Sequence, residues 1–441
     1  MHSDLPKVLQ PLAGRPLLAH VLAAARALEP AAIHVVYGHG GDAVKSAFAG
    51  QSDLRWVLQS QQLGTGHAVL QALPSIPDDH QLLVLLGDVP LVSARTLQRL
   101  VNDSADGELA LLTAVVDDPT GYGRVIRDER GEVSRIVEEK DATDDERRVN
   151  EVNTGLMAFA AGSLRRFLAK LDNDNAQGEY YLTDVIARAA EAGTKIQGTV
   201  IASPTEVLGI NDRAQLALAE RMLQRRIAKD LMGRGVTFAD PERIDVRGTL
   251  TVGRDVFIDV GAVFEGEVEL GDRVAIGPYA VVANSKLGAG TVVHSHTVIT
   301  DAVTGVDCEI GPFARLRPGA DLANEVKVGN FVEVKKSTIA EGSKVNHLTY
   351  IGDTEIGRDV NVGAGTITCN YDGANKHKTT IGDRAFIGSG VMLVAPVSVG
   401  ADATIGAGST ITKDAPPGEL TLERSKQVTV PGWQRPKKKP K

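Results

Sequence analysis

The chain is poor in cysteine: Cys308 and Cys369 are the only two in 441 residues, so it has neither a disulfide framework nor a thiolate metal cluster. Positive charge is outnumbered, with 48 Lys and Arg against 56 Asp and Glu. A formal net charge of -8 argues against a dedicated nucleic-acid or anionic-membrane surface, which needs a clustered positive field. The basic end, RPKKKPK, is read as a solvated tail that keeps the C-terminus from packing. Long apolar runs are missing too. QLLVLLGDVPLV is too short and too interrupted to span a bilayer, and the start has no apolar stretch behind a charged one. The resulting expectation is a cytoplasmic protein with neither nucleic acid nor membrane as partner. Aromatic residues make up 4% of the chain, which fits an interior too narrow for rings.

What is present divides near residue 246. A single core rarely organises more than roughly 250 residues, so two or more domains are expected. Up to residue 211, apolar segments such as IHVVYG, LLVLLGD and LALLTAVV alternate with helical stretches such as RPLLAHVLAAARAL and ARTLQRLVND. That alternation predicts an α/β domain with a largely parallel sheet flanked by helices. Residues 212–246 read as a helical linker, with Asn211 able to cap the helix at its start. From Val252 an aliphatic residue returns every sixth position, often followed by glycine, as in IGPYAV, IGDRAF and IGAGST. Such hexads mark a parallel β-helix, left-handed in this class, with coils of about eighteen residues and glycine in the turns. It is assigned to residues 247–415, leaving 416–441 as a tail.

The repeat separates core from chemistry, because the first and fifth positions of each hexad face the axis and the others face out. Arg317 and Lys335 both follow the leading aliphatic residue, eighteen positions apart, and so stack on one corner at about 4.8 Å. Two cations that close repel unless an anion joins them. Glu333 and Tyr350 enter the same face, and the four together point to a held phosphate. His347 falls on an outward third position beside that corner, a candidate general base. The rhythm breaks once, at TCNYDGANKHKTT (368–380), and loops inserted into a solenoid commonly carry function. The G-x-G-x-x-A match GHGGDA (38–43) lacks the acidic residue a dinucleotide site needs, and reads as a tight strand-to-helix turn.

The segments IGPFARLRPG, VGNFVEVKKS, NHLTYIGD, NVGAGTITCNYDGANKHKT and ERSKQ...GWQRP resemble the C-terminal half of the bacterial N-acetylglucosamine-1-phosphate uridyltransferase / glucosamine-1-phosphate acetyltransferase family. DLPKVL, QLGTGHAV, GDVPL, DPTGYGRV, IVEEKDA, NTGLMAF, NAQGEYYLTD and EVLGINDR resemble its other half, in the same order. The fold implied is a Rossmann-like α/β nucleotidyltransferase domain followed by a left-handed β-helix.

The resemblance implies two reactions that make UDP-N-acetylglucosamine, a precursor for peptidoglycan and lipopolysaccharide. The β-helix would acetylate glucosamine 1-phosphate from acetyl-CoA, and the N-terminal domain would join N-acetylglucosamine 1-phosphate to UMP from UTP. His347 would be the base. Arg317 and Lys335 would hold the sugar phosphate, with Tyr350 and Asn361 fixing the sugar; Ala364, Asn370, Tyr371, Ser389, Ala407 and Arg424 match the acetyl-CoA contacts. In the other half, Asp88 and Asn211 would hold Mg2+. Lys7 matches a triphosphate contact; Gln59, Gln62, Gly64 and Thr65 match the uracil side, and Gly123, Glu138 and Asn153 the sugar side. Leu86, in a position where the family often has tyrosine, would offer its backbone, with Gly87 beside it. A homotrimer with acetyl-transfer sites between subunits is also implied.

In the family a first strand and a loop of the form L-A-A-G-x-G-T-R-M precede the DLPK segment, and Met1 matches the loop's final Met. The expectation is a chain lacking that strand and loop, either because the reading frame opens upstream of Met1 or because only acetyl transfer survives; the other motifs favour the first. A reading of another class is a non-catalytic sugar-nucleotide-binding scaffold, which would have no need of His347, Arg317 and Lys335 around one corner.

Overall fold

The computed structural model describes residues 1–38, 40–105 and 109–438. His39 of the GHGGDA stretch and the last three residues of the basic tail lie outside the described residues. The chain divides into two compact units, Met1–Leu223 and Gln224–Lys441. The division falls inside the helix Arg213–Gly233, within the stretch 212–246 read as a linker.

The first unit is α/β, but its main sheet is mixed rather than largely parallel. Ile196–Val200 runs parallel to Leu109–Val115, whereas the ten-residue strand Glu151–Ala160 is antiparallel to both Leu109–Val115 and Gln81–Val84. The cause is local: the chain reaches Glu151 through the antiparallel hairpin Arg124–Arg127/Val133–Val137, and short connections of this kind return a strand in the opposite direction. Ile33–Tyr37 and Leu54–Leu58 form a separate parallel pair. Helix Ala94–Asp103 begins where the Ser93 hydroxyl accepts from the Thr96 amide, satisfying one of the free N-terminal donors. Its Leu97 and Leu100 are fully buried against Leu112, Leu156 and Ala158 of the sheet, the expected outcome for apolar residues three apart on one helix face. Tyr37 ends its strand and Asp42 opens the next helix, so the described glycines Gly38, Gly40 and Gly41 lie between a strand and a helix.

The second unit is a left-handed β-helix of parallel strands. Pairing starts at Thr237–Phe238 and Ile244–Val252 and runs to Leu420–Thr421, which pairs with Thr404–Ile405, so the regular coils extend beyond 247–415 at both ends. Leading aliphatic residues such as Leu316, Val334, Val345, Ile351 and Ile387 are wholly buried in one continuous core. Gln224 closes its first coil by exchanging two hydrogen bonds with the backbone of Val246, at 2.9 and 2.8 Å.

The hexad glycines work differently from the expectation. Those after the aliphatic residue, Gly311 apart, are not in the left-handed region. They permit close stacking: a Cβ on Gly388 would lie 2.5 Å from the Ala407 amide nitrogen, and one on Gly363 2.6 Å from the Gly388 carbonyl carbon. The left-handed turn positions are filled as readily by Asp255, Arg273, Phe313, Phe331 and Asp359, despite roughly 1–2 kcal/mol of strain for a side chain there.

One corner combines both kinds of residue. Tyr279, His296, Phe313 and Phe331 stack with ring centroids 5.2, 4.9 and 5.4 Å apart, although each is solvent-exposed. Leu348 occupies the next such turn, and below it come Gly365, Gly390 and Gly408. The corner therefore passes from an aromatic ridge to a line of glycines.

Candidate active sites

In the β-helix unit, His347 stands where the ridge gives way to glycine. Its strand pairs Asn330 with His347, and the Asn330 Oδ1 lies 2.9 Å from the imidazole Nδ1. Below it, the carbonyls of His347, Ala364 and Ser389 accept in turn from the amides of Gly365, Gly390 and Gly408. This ladder puts His347, Ala364, Ser389 and Ala407 in successive coils of one corner. Arg424 sits at its lower end, beside Gly406 and Gly408. With only small side chains there, the corner forms a shallow track along the helix axis.

The adjacent corner holds the cations. Arg317 donates to the Val334 carbonyl through its backbone and pairs through Nη1 with Glu333 Oε1 at 2.7 Å, so an anion of the chain itself joins this charge. Glu333 in turn pairs in register with Tyr350, and Lys335 with Gly352. The Lys335 ammonium is held below its usual pKa chiefly by Lys376, then by desolvation and by Arg317. Lys376 comes from the inserted loop and is a cation that sequence reasoning missed. Because the insertion breaks the coil arithmetic, nothing in the spacing indicates where it returns.

The insertion also places Asn370 differently from the other acetyl-CoA matches. It is buried, 2.5 Å from Asp353 Oδ2 and 3.5 Å from the Tyr350 hydroxyl, on the cationic corner rather than in the Ala364–Ser389–Ala407 track. Tyr371 is exposed and its hydroxyl donates to the Gly373 carbonyl. Asp372 pins this loop by accepting from the amides of Asn375 and Ala374 and from His377, contacts that hold its carboxyl well below the usual range. Asn361 joins neither group: it pairs between Lys344 and Phe386 on another column.

In the α/β unit the expected site residues fall into three groups. Lys7 Nζ lies 2.5 Å from Asp88 Oδ2 and 2.9 Å from Asn211 Oδ1, while the Ile210 amide donates to the Asp88 carbonyl at 3.0 Å. Residues 81 and 204 positions from Lys7 in sequence are thus locked to one ammonium. On the second side, Gln59 Nε2 donates to the Gly64 carbonyl. Gly64 has φ +106 and a Cβ there would lie 2.6 Å from the Tyr180 carbonyl oxygen, so glycine is needed for both reasons. Thr65 Oγ1 accepts from the Leu182 amide, and Gln62 packs against Gly38.

The third group is made by Gly123, Glu138 and Asn153. The Asn153 amide donates to the Gly123 carbonyl at 2.8 Å, and a Cβ on Gly123 would lie 3.2 Å from the Glu138 carboxylate. Glu138 accepts from Thr183 at 2.9 Å; burial pushes its carboxyl pKa up against the opposing effect of that hydrogen bond. Asp184, next to Thr183, is raised to about 6 by desolvation, with Asp172 and Glu138 adding to it. The Leu86 side chain packs on Gly155, where a Cβ would lie 2.5 Å from Leu86 Cδ1, and so links the Gly87–Asp88 turn to Asn153. An apolar cavity of about 200 Å³ lined by Tyr122, Val152, Asn153 and Leu208 lies beside this group.

An α/β domain carrying these three groups, followed by a hexapeptide β-helix with a histidine at the head of a small-residue track, has the arrangement of a nucleotidyltransferase joined to a hexapeptide-repeat transferase. Family comparisons agree: residues 1–194 match the MobA-like NTP transferase domain, and residues 250–284 and 378–413 match the bacterial transferase hexapeptide (six repeats). The chain is 60% identical to the bifunctional protein GlmU of Alkalilimnicola ehrlichii over 440 residues, which is 100% of this chain and 95% of that protein. It is 58% identical to the same-named proteins of Stenotrophomonas maltophilia and Aromatoleum aromaticum over 439 residues, 100% of this chain and 96% of each relative. The chain belongs to the family of the bifunctional protein GlmU. The expected lack of a first strand is not borne out by these comparisons. No helix among the described residues is long and apolar enough to cross a membrane.

Proposed function

We propose that the protein makes UDP-N-acetylglucosamine by two group transfers, one in each unit. In the β-helix, the amine of glucosamine 1-phosphate attacks the thioester carbonyl of acetyl-CoA. The C–N bond forms, the C–S bond breaks, and His347 takes the proton lost by the attacking nitrogen and passes it to the departing sulfur, so that CoA leaves as the thiol. An imidazole has a suitable pKa for that proton. Arg317 and Lys335 receive the sugar phosphate, with Tyr350 alongside. The elongated CoA moiety follows the Ala364, Ser389 and Ala407 track towards Arg424. Neither cysteine is needed as a nucleophile.

The α/β unit then transfers UMP. The phosphate oxygen of N-acetylglucosamine 1-phosphate attacks the α-phosphorus of UTP in line, and pyrophosphate leaves. Gln59, Gly64 and Thr65 face the uracil side, and Gly123, Glu138 and Asn153 the sugar side. Asp88 and Asn211 supply a carboxylate and an amide oxygen, a hard donor set suited to Mg2+. They already converge on a cation, the Lys7 ammonium, which supports the fit. Held by Asp88 and Asn211, Mg2+ would supply charge neutralisation of the triphosphate.

The working assembly is a homotrimer with acetyl-transfer sites between subunits. Asn361 stands apart from Tyr350 within one chain, and the aromatic ridge is left uncovered, with Tyr279, Phe313 and Phe331 about half exposed; both support this reading. Acetyl-CoA and UTP place the reactions in the cytoplasm.

The observation that carries the proposal is His347 at the head of a small-residue track, next to a corner of cations. The test measures both half-reactions on one preparation. His347→Ala should lose acetyl transfer by about 10²–10⁴-fold and keep uridyl transfer. Retained acetyl transfer would remove His347 from the mechanism, and a non-catalytic scaffold would show neither activity in the unaltered protein.

A further inference from the structure

The imidazole of His347 has one defined polar side-chain contact, and it is to a residue that sequence reasoning passed over. Asn330 precedes His347 by 17 positions, one coil along the same corner, and the two pair directly in the parallel ladder. Its backbone is fixed independently, because the Asn330 carbonyl accepts from the Leu348 amide at 3.1 Å. The side chain is half-buried, while the imidazole is exposed. An exposed imidazole with free rotation would spread over several rotamers and two neutral tautomers, only one of which leaves a lone pair on a given nitrogen.

We infer that Asn330 is the positioning residue for His347: its amide oxygen accepts from Nδ1–H, which fixes the tautomer and ring plane and leaves Nε2 as the unprotonated nitrogen. An amide oxygen can only accept, so the 2.9 Å contact requires the proton on Nδ1. Asparagine suits this role better than aspartate. It orders the ring without the negative charge that would stabilise the imidazolium and keep the base protonated at neutral pH. The corner positions next to the imidazole are uncharged, with Asn330 in the coil above and Ala364 and Gly365 in the coil below. The nearest paired cations of these strands, Lys327 and Lys344, stand three residues earlier. The amide is therefore the polar group set to orient the ring.

This inference rests on the reading of His347 as the base, and its test has a readout independent of turnover. Three full-length proteins are compared: the unaltered chain, Asn330→Leu and Asn330→Asp. In ¹⁵N spectra of histidine-labelled protein, assigned by the signal lost in His347→Ala, the unaltered chain should show His347 in the Nδ1–H tautomer, and Asn330→Leu a mixture. In the acetyl-transfer assay, Asn330→Leu should lower kcat by about 10- to 100-fold, less than loss of the base itself, with KM for acetyl-CoA little changed. Asn330→Asp should restore most of kcat at high pH, with the acid limb of its pH profile moved upward because the carboxylate stabilises the imidazolium. An Nε2–H tautomer in the unaltered chain, or an unchanged tautomer and kcat in Asn330→Leu, would overturn the inference. If His347→Ala retained acetyl transfer while the tautomer still depended on Asn330, the base assignment would fail and the positioning contact would stand.

Discussion

The two sites are assembled by different rules. In the β-helix, residues one coil apart become neighbours through a fixed ladder, so Asn330 meets His347 and Glu333 meets Tyr350 whatever the intervening residues are. In the α/β unit, Lys7, Asp88 and Asn211 meet across 81 and 204 positions, and no spacing rule predicts it. Their meeting depends on strand order, on the Gly87–Asp88 turn and on the Ile210 amide. A solenoid converts sequence distance directly into position, because each coil packs only on its neighbours. An α/β cleft converts topology into position, and a single motif there means little until the strand order is known.

The sharpest way to break the comparison is to remove one group from the topological site. Asp88→Ala should reduce uridyl transfer by about 10²-fold or more and leave acetyl transfer as it was; parallel loss of both activities would mean that the sites are not separate. The coil rule is tested next by Gly388→Val. Its side chain meets the Ala407 backbone at 2.5 Å, so the β-helix should lose about 1–3 kcal/mol to overpacking. Calorimetry should show the loss in the β-helix transition only, and an unshifted transition would refute close stacking as the reason for glycine.

Smaller effects sharpen the chemistry. Arg317→Ala or Lys335→Ala should raise KM for glucosamine 1-phosphate by about tenfold, the size of one lost charge-assisted hydrogen bond, and scarcely move KM for acetyl-CoA. Equal rises for both substrates would contradict the phosphate assignment. The smallest effect concerns Asp184. Its carboxyl is raised in the folded state to about 6 from about 3.9 unfolded. Between those values the native state binds more protons than the unfolded state, so this group's contribution to stability falls as pH rises from about 4 to 6 and is level above. Asp184→Asn should flatten that part of the melting profile of the α/β unit. Scans at pH 4.5 and 7 that shift equally in variant and parent would show that the burial of Asp184 has no such effect.

The same contrast explains what was legible in the sequence. The hexad period indicates the β-helix, the axis-facing positions and the stacking of Arg317 on Lys335, because all three follow from a repeat. Asn330 obeys the same arithmetic, but a lone asparagine signals nothing until the imidazole one coil away is seen to need an acceptor. Asn370 and Lys376 follow the one insertion, where the phase is lost. The role of the hexad glycines is misread from sequence because the need for close approach and the need for a left-handed turn select the same residue; only the geometry separates them. In the α/β unit the alternation of strands and helices is visible, but strand direction is not. The antiparallel course of Glu151–Ala160 depends on where a hairpin delivers the chain, which periodicity does not encode.

The track below His347 has a metric consequence. Ala364, Ser389 and Ala407 are steps of one coil each, about 4.8 Å, so the corner is a ruler whose divisions are set by backbone hydrogen bonds rather than by side chains. Point substitutions can change what stands at a mark but not the distance between marks. Only adding or deleting a whole coil changes the distance from His347 to Ala407, and it does so in one increment. For any elongated ligand gripped at both ends, length is thereby selected in units of the strand spacing, and evolution or design can lengthen the accepted ligand only by inserting a coil, leaving the chemistry at the zero mark untouched.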